Sequence, residues 1–357
     1  MELDIKKTAT LRHVAELAGV SASTASLVLN RKGDISEATR NRVLQAMEQL
    51  NYVPRDPRAK SEALSPDAQN TVRFLKIARH GQTVNLDHNI FISDYIDGMS
   101  SEATRRDYSL QVVTHENESI GSIVEGLIGA DLRGIIALGT ELSDEDLQTI
   151  LDCGLPNVII DTHRPFMKGN FIDMDNNQLV CSALEYLKNQ NFSRIGLVGS
   201  YSSVMNFKLR QDAFRRSMKA LGLPVDPAHL LSVASTIDGA YSDSVKQLAD
   251  SSDIAEAYLC ANDVIAFGFI RALRERGLSV PNDVSVIGID NLHMAAAFDP
   301  PLTSLNFSKK RIGAMAVRIL DDLIAIDEPQ PPVKVLVSGE LVLRDSVKEL
   351  PKANKRS

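Results

Sequence analysis

The chain has 357 residues, enough for two or three domains, and its formal net charge is −7 at pH 7. This acidic balance argues against a protein that coats nucleic acid without sequence preference. The three cysteines, Cys153, Cys181 and Cys260, show no CxxC spacing, so we expect buried thiols and neither a disulfide framework nor a zinc site. Because no signal peptide and no run of 18 apolar residues occur, we expect a soluble, cytoplasmic protein.

The charge is distributed unevenly along the chain. Residues 1–60 hold ten Lys and Arg against seven Asp and Glu, a net charge of +3, which leaves −10 for the remaining residues. A small basic head on an acidic body fits one DNA-reading module, with the rest of the chain devoted to another task.

Residues 11–30 predict two short helices joined by a glycine turn. The first helix has an apolar stripe at helical spacing, formed by Leu11, Val14, Ala15 and Ala18. Gly19 stands where a helix end favours a positive φ, and Ser21 stands at the N-cap position of the next helix. That second helix is predicted over residues 22–29, with its N-terminal end exposed as in a helix-turn-helix that reads the major groove. The pattern predicts a sequence-specific DNA-binding head.

A third helix is predicted from Ser36 to about Asn51, and a linker follows it. Residues 55–70 are rich in proline and charge and poor in apolar residues, which is typical of a linker or hinge. We therefore expect a head at 1–54, a body at 71–347 and a tail at 348–357.

From Val72 onward, β-rich runs alternate with helical patterns. Strands are predicted at 72–78, 110–114, 134–138, 157–161, 194–199, 257–260 and 284–290, and helices at 90–106, 176–189, 209–221 and 264–276. This alternation is typical of βαβ units and parallel sheets, and the number of units indicates two lobes. Ligands of such sheets bind at the carboxyl ends of the strands, so two facing lobes predict a binding cleft.

Several segments, in this order along the chain, resemble the LacI/GalR family of bacterial repressors. They are VSASTASLVLN (20–30), ISEATRNRVLQAMEQLNYVP (35–54), LCANDVIAFG (259–268), LSVPNDVSVIGIDN (278–291), PPLTSL (300–305) and LVLRDS (341–346). The resemblance implies an all-α helix-turn-helix head and a two-lobed α/β effector domain like a type I periplasmic binding protein. It also implies a homodimer that binds an approximately palindromic double-stranded operator, and a small-molecule effector.

The head provides the expected DNA contacts. We expect them from Arg12, Ser21, Ala22, Ser23, Thr24, Ser26, Leu27, Asn30 and Arg31, with Lys32 and Arg42 as further phosphate contacts. The alternative for the basic residues is a solvated surface. The reading face departs from the family, because Ala22 and Ser23 are short and the usual Arg is absent. The usual Ala-Arg-Ser-Leu hinge motif is also missing, which leaves Leu64 as the candidate minor-groove wedge.

The body provides the expected effector contacts. They are His88, Asn89, Phe91, His163, Arg210, Asn262, Asp263 and Asp290. The resemblance supplies Arg210, Asp263 and Asp290, although Arg210 could be a surface charge and Asp263 an N-cap. The loop 79–91 departs from the family and adds His80 and Asp87, while His115 ends a predicted strand. We expect no metal and no cofactor, and a cleft with several His and Arg residues favours a sugar acid or another anionic carbohydrate as the effector.

Two other classes of function remain possible at this stage. One is a solute-binding receptor that only captures a sugar, against which the helix-turn-helix argues. The other is a cleft enzyme acting on a sugar, but the sequence contains no G-x-S-x-G, no P-loop and no G-x-G-x-x-G that opens a helix after a strand. We therefore expect an effector-controlled transcriptional regulator, most simply a repressor, and no enzyme.

Overall fold

The computed structural model describes residues 11–21, 24, 28, 36–49, 70–79, 86–249, 253–326, 328 and 330–349, without the side chains of 11–13, 16, 37, 38, 48, 49 and 86–90. The chain forms two compact units, Met1–Ser65 and Pro66–Ser357. Within the described part of the chain, no helix is both long and apolar enough to span a bilayer.

The first unit contains helices α1 (Leu11–Ala18) and α2 (Glu37–Gln49). Its buried core consists of Val14, Ala15, Ala18, Val28, Val43 and Ala46. Gly19 has a φ of 64°, which confirms the predicted turn residue. The backbone N–H of Thr24 donates to Ser21 Oγ at 3.1 Å, so Ser21 caps the segment that contains Thr24 and Val28, both helical.

The second unit contains two six-stranded sheets. The strands of the first sheet are β1 (Thr71–Ala78), β2 (Ser109–Glu116), β3 (Gly134–Leu138), β4 (Asn157–Ile160), β5 (Phe171–Met174) and β11 (Lys334–Val337), in the order β11-β5-β4-β3-β1-β2. Those of the second are β6 (Ile195–Ser200), β7 (Leu230–Val233), β8 (Ala257–Cys260), β9 (Ser285–Ile289), β10 (Thr303–Phe307) and β12 (Gly339–Val342), in the order β12-β10-β9-β8-β6-β7. Neighbouring strands in both sheets run parallel except β10 and β12, so the predicted parallel α/β architecture is confirmed.

The helices of the second unit cover the two sheets. They are α3 (Leu86–Arg105), α4 (Ile120–Glu125), α5 (Asp144–Leu151), α6 (Asn176–Asn189), α7 (Met205–Ala220), α8 (Ile237–Ala249), α9 (Asp263–Glu275), α10 (His293–Ala297) and α11 (Lys309–Ala325). The chain passes from the first sheet to the second through α6, returns through α11, and crosses again between β11 and β12. The chain therefore connects the two lobes at three points, and the lobes form the two sides of one cleft.

Helices α3 and α11 pack closely because glycine stands at their crossing. A Cβ built on Gly98 of α3 would overlap the carbonyl of Lys310, and one on Gly313 of α11 would overlap the carbonyl of Tyr95. The two backbones can approach this closely only without those side chains. The crossing joins a helix of the first lobe to the helix that returns from the second sheet.

The sequence missed several short elements. Strands β5, β7, β11 and β12 have four residues each and were not predicted, although β4 and β8, which are as short, were. Helix α11 was also missed, although Ile312, Ala316, Val317 and Leu320 form a buried stripe at helical spacing.

Candidate functional site

A cleft lies where the carboxyl ends of both sheets meet. The space between its walls is about 480 Å³, which includes open solvent at its mouth. The lining residues come from both lobes: Phe91, Ile92, Thr140, Asp161, Val204, Asn206, Phe207, Arg210, Asn262 and Asp290. A lining that combines several polar groups with aromatic rings is typical of a site that orients a small polar ligand.

Asp161, immediately after β4, is the main acceptor of the first lobe. Tyr95 Oη donates to its Oδ1 at 2.9 Å, the Thr140 hydroxyl donates to Oδ2, and Asn206 Nδ2 donates to Oδ1 at 3.3 Å. Burial raises the pKa of Asp161 to about 6, although the hydrogen bonds from Thr140 and Tyr95 oppose this shift. The carboxyl group therefore changes charge close to neutral pH.

Arg210 on α7 crosses the floor of the cleft and is 4% exposed. Its Nε donates to Asn176 Oδ1 at 2.9 Å, its Nη1 to the Ala261 carbonyl at 2.5 Å, and its Nη2 lies 3.4 Å from Asp290 Oδ1. Three nitrogens of Arg210 thus contact acceptors within the protein, and the distance to Asp290 is the longest of the three. The guanidinium is therefore fixed in place at the cleft.

Two more carboxyl groups are buried behind the cleft. Asp263 accepts from Ser304 Oγ at 2.6 Å and from the Leu292 backbone N–H at 2.7 Å, and burial raises its pKa to about 8. Asp173 is fully buried, burial raises its pKa well above the usual value, and its Oδ2 makes no hydrogen bond in the described part of the chain. Asp263 is therefore largely protonated at neutral pH.

An aromatic wall closes the cleft on the side of α3. The Phe91 ring packs edge-on against Tyr95 at 5.2 Å and Phe307 at 6.1 Å. Lys309 Nζ lies 4.5 Å from the centre of the Phe307 ring and donates to the Asp290 carbonyl at 2.5 Å. Phe91 and Phe207 present the apolar surface of the cleft.

The structure brings four of the predicted effector residues to the lining. They are Phe91, Arg210, Asn262 and Asp290. Asn262 also caps α9, since the Ile265 N–H donates to its Oδ1 at 2.9 Å. His88 and Asn89 lie on α3, but their side chains are outside the described part, as is that of Asp87, and His80 is outside it altogether.

Two predicted effector residues do not line the cleft. Asp263 opens α9, but it is fully buried and is not among the lining residues, and it accepts from Ser304 Oγ and the Leu292 N–H inside the protein. His163 follows β4 yet is not among the lining residues, and its Nδ1 is buried without a hydrogen bond in the described part of the chain. Burial, Lys334 and Arg164 lower the pKa of His163, so it adds no positive charge to the site at neutral pH. Of the other expected groups, His115 lies 3.2 Å from Glu118.

Of the predicted DNA contacts, the structure describes the side chains of Ser21, Thr24 and Arg42. Thr24 is half-buried and Arg42 is exposed. The others lie outside the described residues or side chains: Arg12, Ala22, Ser23, Ser26, Leu27, Asn30, Arg31, Lys32 and Leu64.

The sequence argument missed Asp161 and Thr140. Asp161 ends the predicted strand 157–161 and Thr140 follows the predicted strand 134–138, so the rule that places ligands at carboxyl strand ends applies to both. Asn206, Val204 and Phe207 come from the start of α7 and carried no such signal.

The described lining holds no set of three side chains placed to coordinate a metal ion. The group of three such side chains found among the described residues, Asp226, His229 and Asp253, lies at the amino-terminal end of the second sheet, away from the cleft.

Comparison with known proteins agrees with this architecture. Residues 10–55 match the model of bacterial regulatory proteins of the lacI family, and residues 184–347 match a periplasmic binding protein-like domain. The HTH-type transcriptional repressor PurR of Pasteurella multocida (strain Pm70) is 30% identical over 343 residues, which cover 95% of this chain and 99% of that repressor. PurR of Vibrio cholerae serotype O1 (strain M66-2) is 30% identical over 354 residues, covering 97% of this chain and all of the relative.

The chain belongs to the lacI family of bacterial regulatory proteins. It is a DNA-binding transcriptional regulator and not an enzyme, as the sequence predicted.

Solved structures of the lacI family have the same fold. A transcriptional regulator CelR–cellobiose complex superposes with a TM-score of 0.70 at 25% identity, over 95% of this chain and 99% of CelR. A lac repressor dimer bound to operator and the anti-inducer ONPF gives a TM-score of 0.68 at 23% identity, over 97% of this chain and all of that one.

Proposed function

We propose that this lacI-family member represses transcription as a homodimer on an approximately palindromic operator, and that a small, neutral, hydroxyl-rich molecule in the cleft controls it. The observation that carries the effector part is the lining, in which Asp161 and Asp290 offer acceptors opposite the fixed guanidinium of Arg210. Carboxylates, a guanidinium and an amide can hydrogen-bond the hydroxyl groups of a carbohydrate. The aromatic rings beside them can pack against its apolar face.

The charges of the cleft favour a neutral ligand over the sugar acid that the sequence suggested. Arg210 is the one cation among the described lining residues, whereas Asp161 and Asp290 are two carboxyl groups that would repel a carboxylate. Two of the histidines that motivated an acid are placed elsewhere, since His163 is outside the lining and His115 is paired with Glu118. CelR, which was solved with the neutral disaccharide cellobiose, supports the carbohydrate class.

The effector can control DNA binding if it binds two arrangements of the lobes with different affinity. An effector that contacts both Asp161 of the first lobe and Asp290 of the second binds the closed arrangement of the lobes more tightly than an open one. Such a ligand shifts the lobes toward closure, and we propose that this changes the spacing of the two heads in the dimer. The operator complex of the lac repressor dimer supports this arrangement by similarity of fold. In this role the protein acts in the cytoplasm.

The decisive experiment measures ligand binding and DNA binding together. A thermal-shift screen compares neutral sugars with their aldonic and uronic acids, because a ligand that binds only the folded state raises the midpoint of unfolding. Operator duplexes are selected from a random double-stranded library, and their affinity is measured by anisotropy across a salt series, with and without the best ligand. We expect a neutral sugar to change operator affinity by about five- to 100-fold.

Variants separate the two activities. Arg210→Lys keeps the positive charge but loses the bidentate geometry of the guanidinium. This variant should therefore still bind the operator, but the ligand should no longer change its operator affinity. Asp131→Asn, at an exposed position, is the matched control and should behave as wild type. A screen in which only sugar acids bind contradicts the neutral effector, and a selection that enriches no sequence contradicts the operator-binding repressor.

A further inference from the structure

Asp226, His229 and Asp253 meet at the amino-terminal end of the second sheet, the end opposite the cleft. Asp226 caps the 3-10 turn Pro227–His229, which leads directly into β7. Asp253 precedes β8, and β6 lies between β7 and β8 in the sheet. One potential ligand atom from each of the three side chains lies within 4.8 Å of the other two.

The imidazole of His229 is the unusual member of this group. The residue is 3% exposed, and its Nε2 makes no hydrogen bond in the described part of the chain. Buried polar atoms without a partner are rare in folded proteins, so this nitrogen needs an explanation. Neutral imidazole nitrogen is a common metal ligand, and a bound cation would satisfy it.

The separation between His229 and Asp253 fits a small divalent cation. His229 Nε2 lies 3.4 Å from Asp253 Oδ2. Tetrahedral coordination with bonds of about 2.1 Å places neighbouring ligand atoms about 3.4 Å apart. The distance between His229 Nε2 and Asp253 Oδ2 is therefore too long for a good hydrogen bond but matches the distance between two ligands of one zinc ion.

The two carboxylates are held in position by other contacts. Asp226 Oδ1 accepts from the Ala228 N–H at 2.9 Å, and Asp253 Oδ1 accepts from Arg194 Nη1 at 2.6 Å. These bonds fix both side chains beside the imidazole before any ion binds. The guanidinium of Arg194 also offsets one negative charge, so we expect weaker binding than at a site with four protein ligands.

We propose that Asp226, His229 and Asp253 form a binding site for a divalent first-row cation of the zinc class, with one imidazole, two carboxylates and water as ligands. The ion would tie the start of β7 to the segment before β8, across β6, and so stabilise the second lobe. This site is independent of the effector cleft and of the proposed repressor function.

The test uses the full-length protein, stripped with EDTA and titrated with ZnCl₂ by calorimetry, with thermal unfolding in parallel. We expect one saturable site and a higher unfolding midpoint with zinc, and no comparable effect of MgCl₂, which prefers oxygen ligands. His229→Gln should abolish this site. Asp226→Asn should weaken it at least about tenfold without loss of the turn, because Asn caps as well as Asp.

His115→Ala is the matched control, because His115 Nδ1 also lies close to a carboxylate, 3.2 Å from Glu118 Oε2, but in the first lobe. Its zinc binding should equal that of the wild type. Absence of a saturable site, or zinc binding unchanged in Asp226→Asn, overturns the proposal and leaves an ordinary imidazole–carboxylate pair. Should His229→Gln fail to fold, the Asp226→Asn titration decides.

Discussion

Asp161 and Asp290 occupy the same place in the two lobes. Each follows the third strand of its sheet, β4 or β9, and each donates its backbone N–H to the next strand, to Ile172 at 3.1 Å and to Leu305 at 2.9 Å. Both have a positive φ, 60° and 108°, which is costly for a residue other than glycine. Because both also line the cleft, the two turns place one carboxyl group on each side of it.

The pKa of about 6 at Asp161 predicts that effector binding depends on pH. Burial raises this pKa, so the carboxylate that we propose as the acceptor of ligand hydroxyls is lost as the pH falls through about 6. We expect the affinity for a neutral sugar to fall by up to about tenfold per pH unit below 6, and to change little between pH 7 and 8. Titration calorimetry at pH 5, 6, 7 and 8 measures the profile.

Asp161→Asn should bind about 10- to 100-fold more weakly at pH 8, the value of one hydrogen bond to a charged group. Its affinity should also be nearly constant from pH 5 to 8. A variant that keeps the wild-type pH profile would assign the titration to another group.

Asp263 predicts a pH dependence of stability that is separate from ligand binding. Its folded pKa of about 8 exceeds the value of about 4 expected in the unfolded chain, so the folded state binds the proton more tightly. The stabilisation is complete below pH 4 and is lost as the pH rises toward 8. Asp263→Asn mimics the protonated form, so its urea midpoint relative to wild type should rise between pH 5 and pH 8. Asp131→Asn should show no such trend.

The sequence predicted which polar residues stand at the strand ends better than it predicted where their side chains point. Asp290 and Asn262 were expected at the cleft and line it, whereas Asp263, one residue further on, turns inward to Ser304. A strand end can be predicted from local pattern, but the partner that captures a carboxyl group comes from β10, some 40 residues away. The environment of Asp161, made by Tyr95, Thr140 and Asn206, is likewise a product of packing between distant segments.

The glycine crossing of α3 and α11 could not be predicted for the same reason, and it provides a stability test. Gly98→Ala or Gly313→Ala forces a Cβ into a facing carbonyl, so each should destabilise the protein by about 1–3 kcal/mol or more. Gly121→Ala in α4 is the control, since nothing lies within 4 Å of the position that its Cβ would take, and it should be neutral or stabilising by about 0.5 kcal/mol. Urea unfolding measures all three, and equal effects at Gly98, Gly313 and Gly121 would refute the close crossing.

The carboxylate of Glu102 links α3 to α11 at the far end of the same helix pair. It accepts from Arg318 Nε at 2.9 Å and Nη2 at 3.2 Å, and from Arg106 Nε at 3.0 Å. Arg106 and Tyr108 Oη also bond Asp321 of α11, which completes the network. The hydrogen bond from Arg318 is the main reason that the pKa of Glu102 falls to about 2.

Glu102→Gln should therefore destabilise the protein by about 1.5–3 kcal/mol at pH 7, the value of hydrogen bonds to a charged group. Because the folded pKa is depressed, this stabilisation is present above pH 5 and is lost as the pH falls toward 2. The difference in urea midpoint between wild type and Glu102→Gln should therefore narrow from pH 7 to pH 3.5. Glu145→Gln, exposed on α5, should show no difference at either pH. A difference that is constant with pH would mean that the shape of the Glu102 side chain matters and its charge does not.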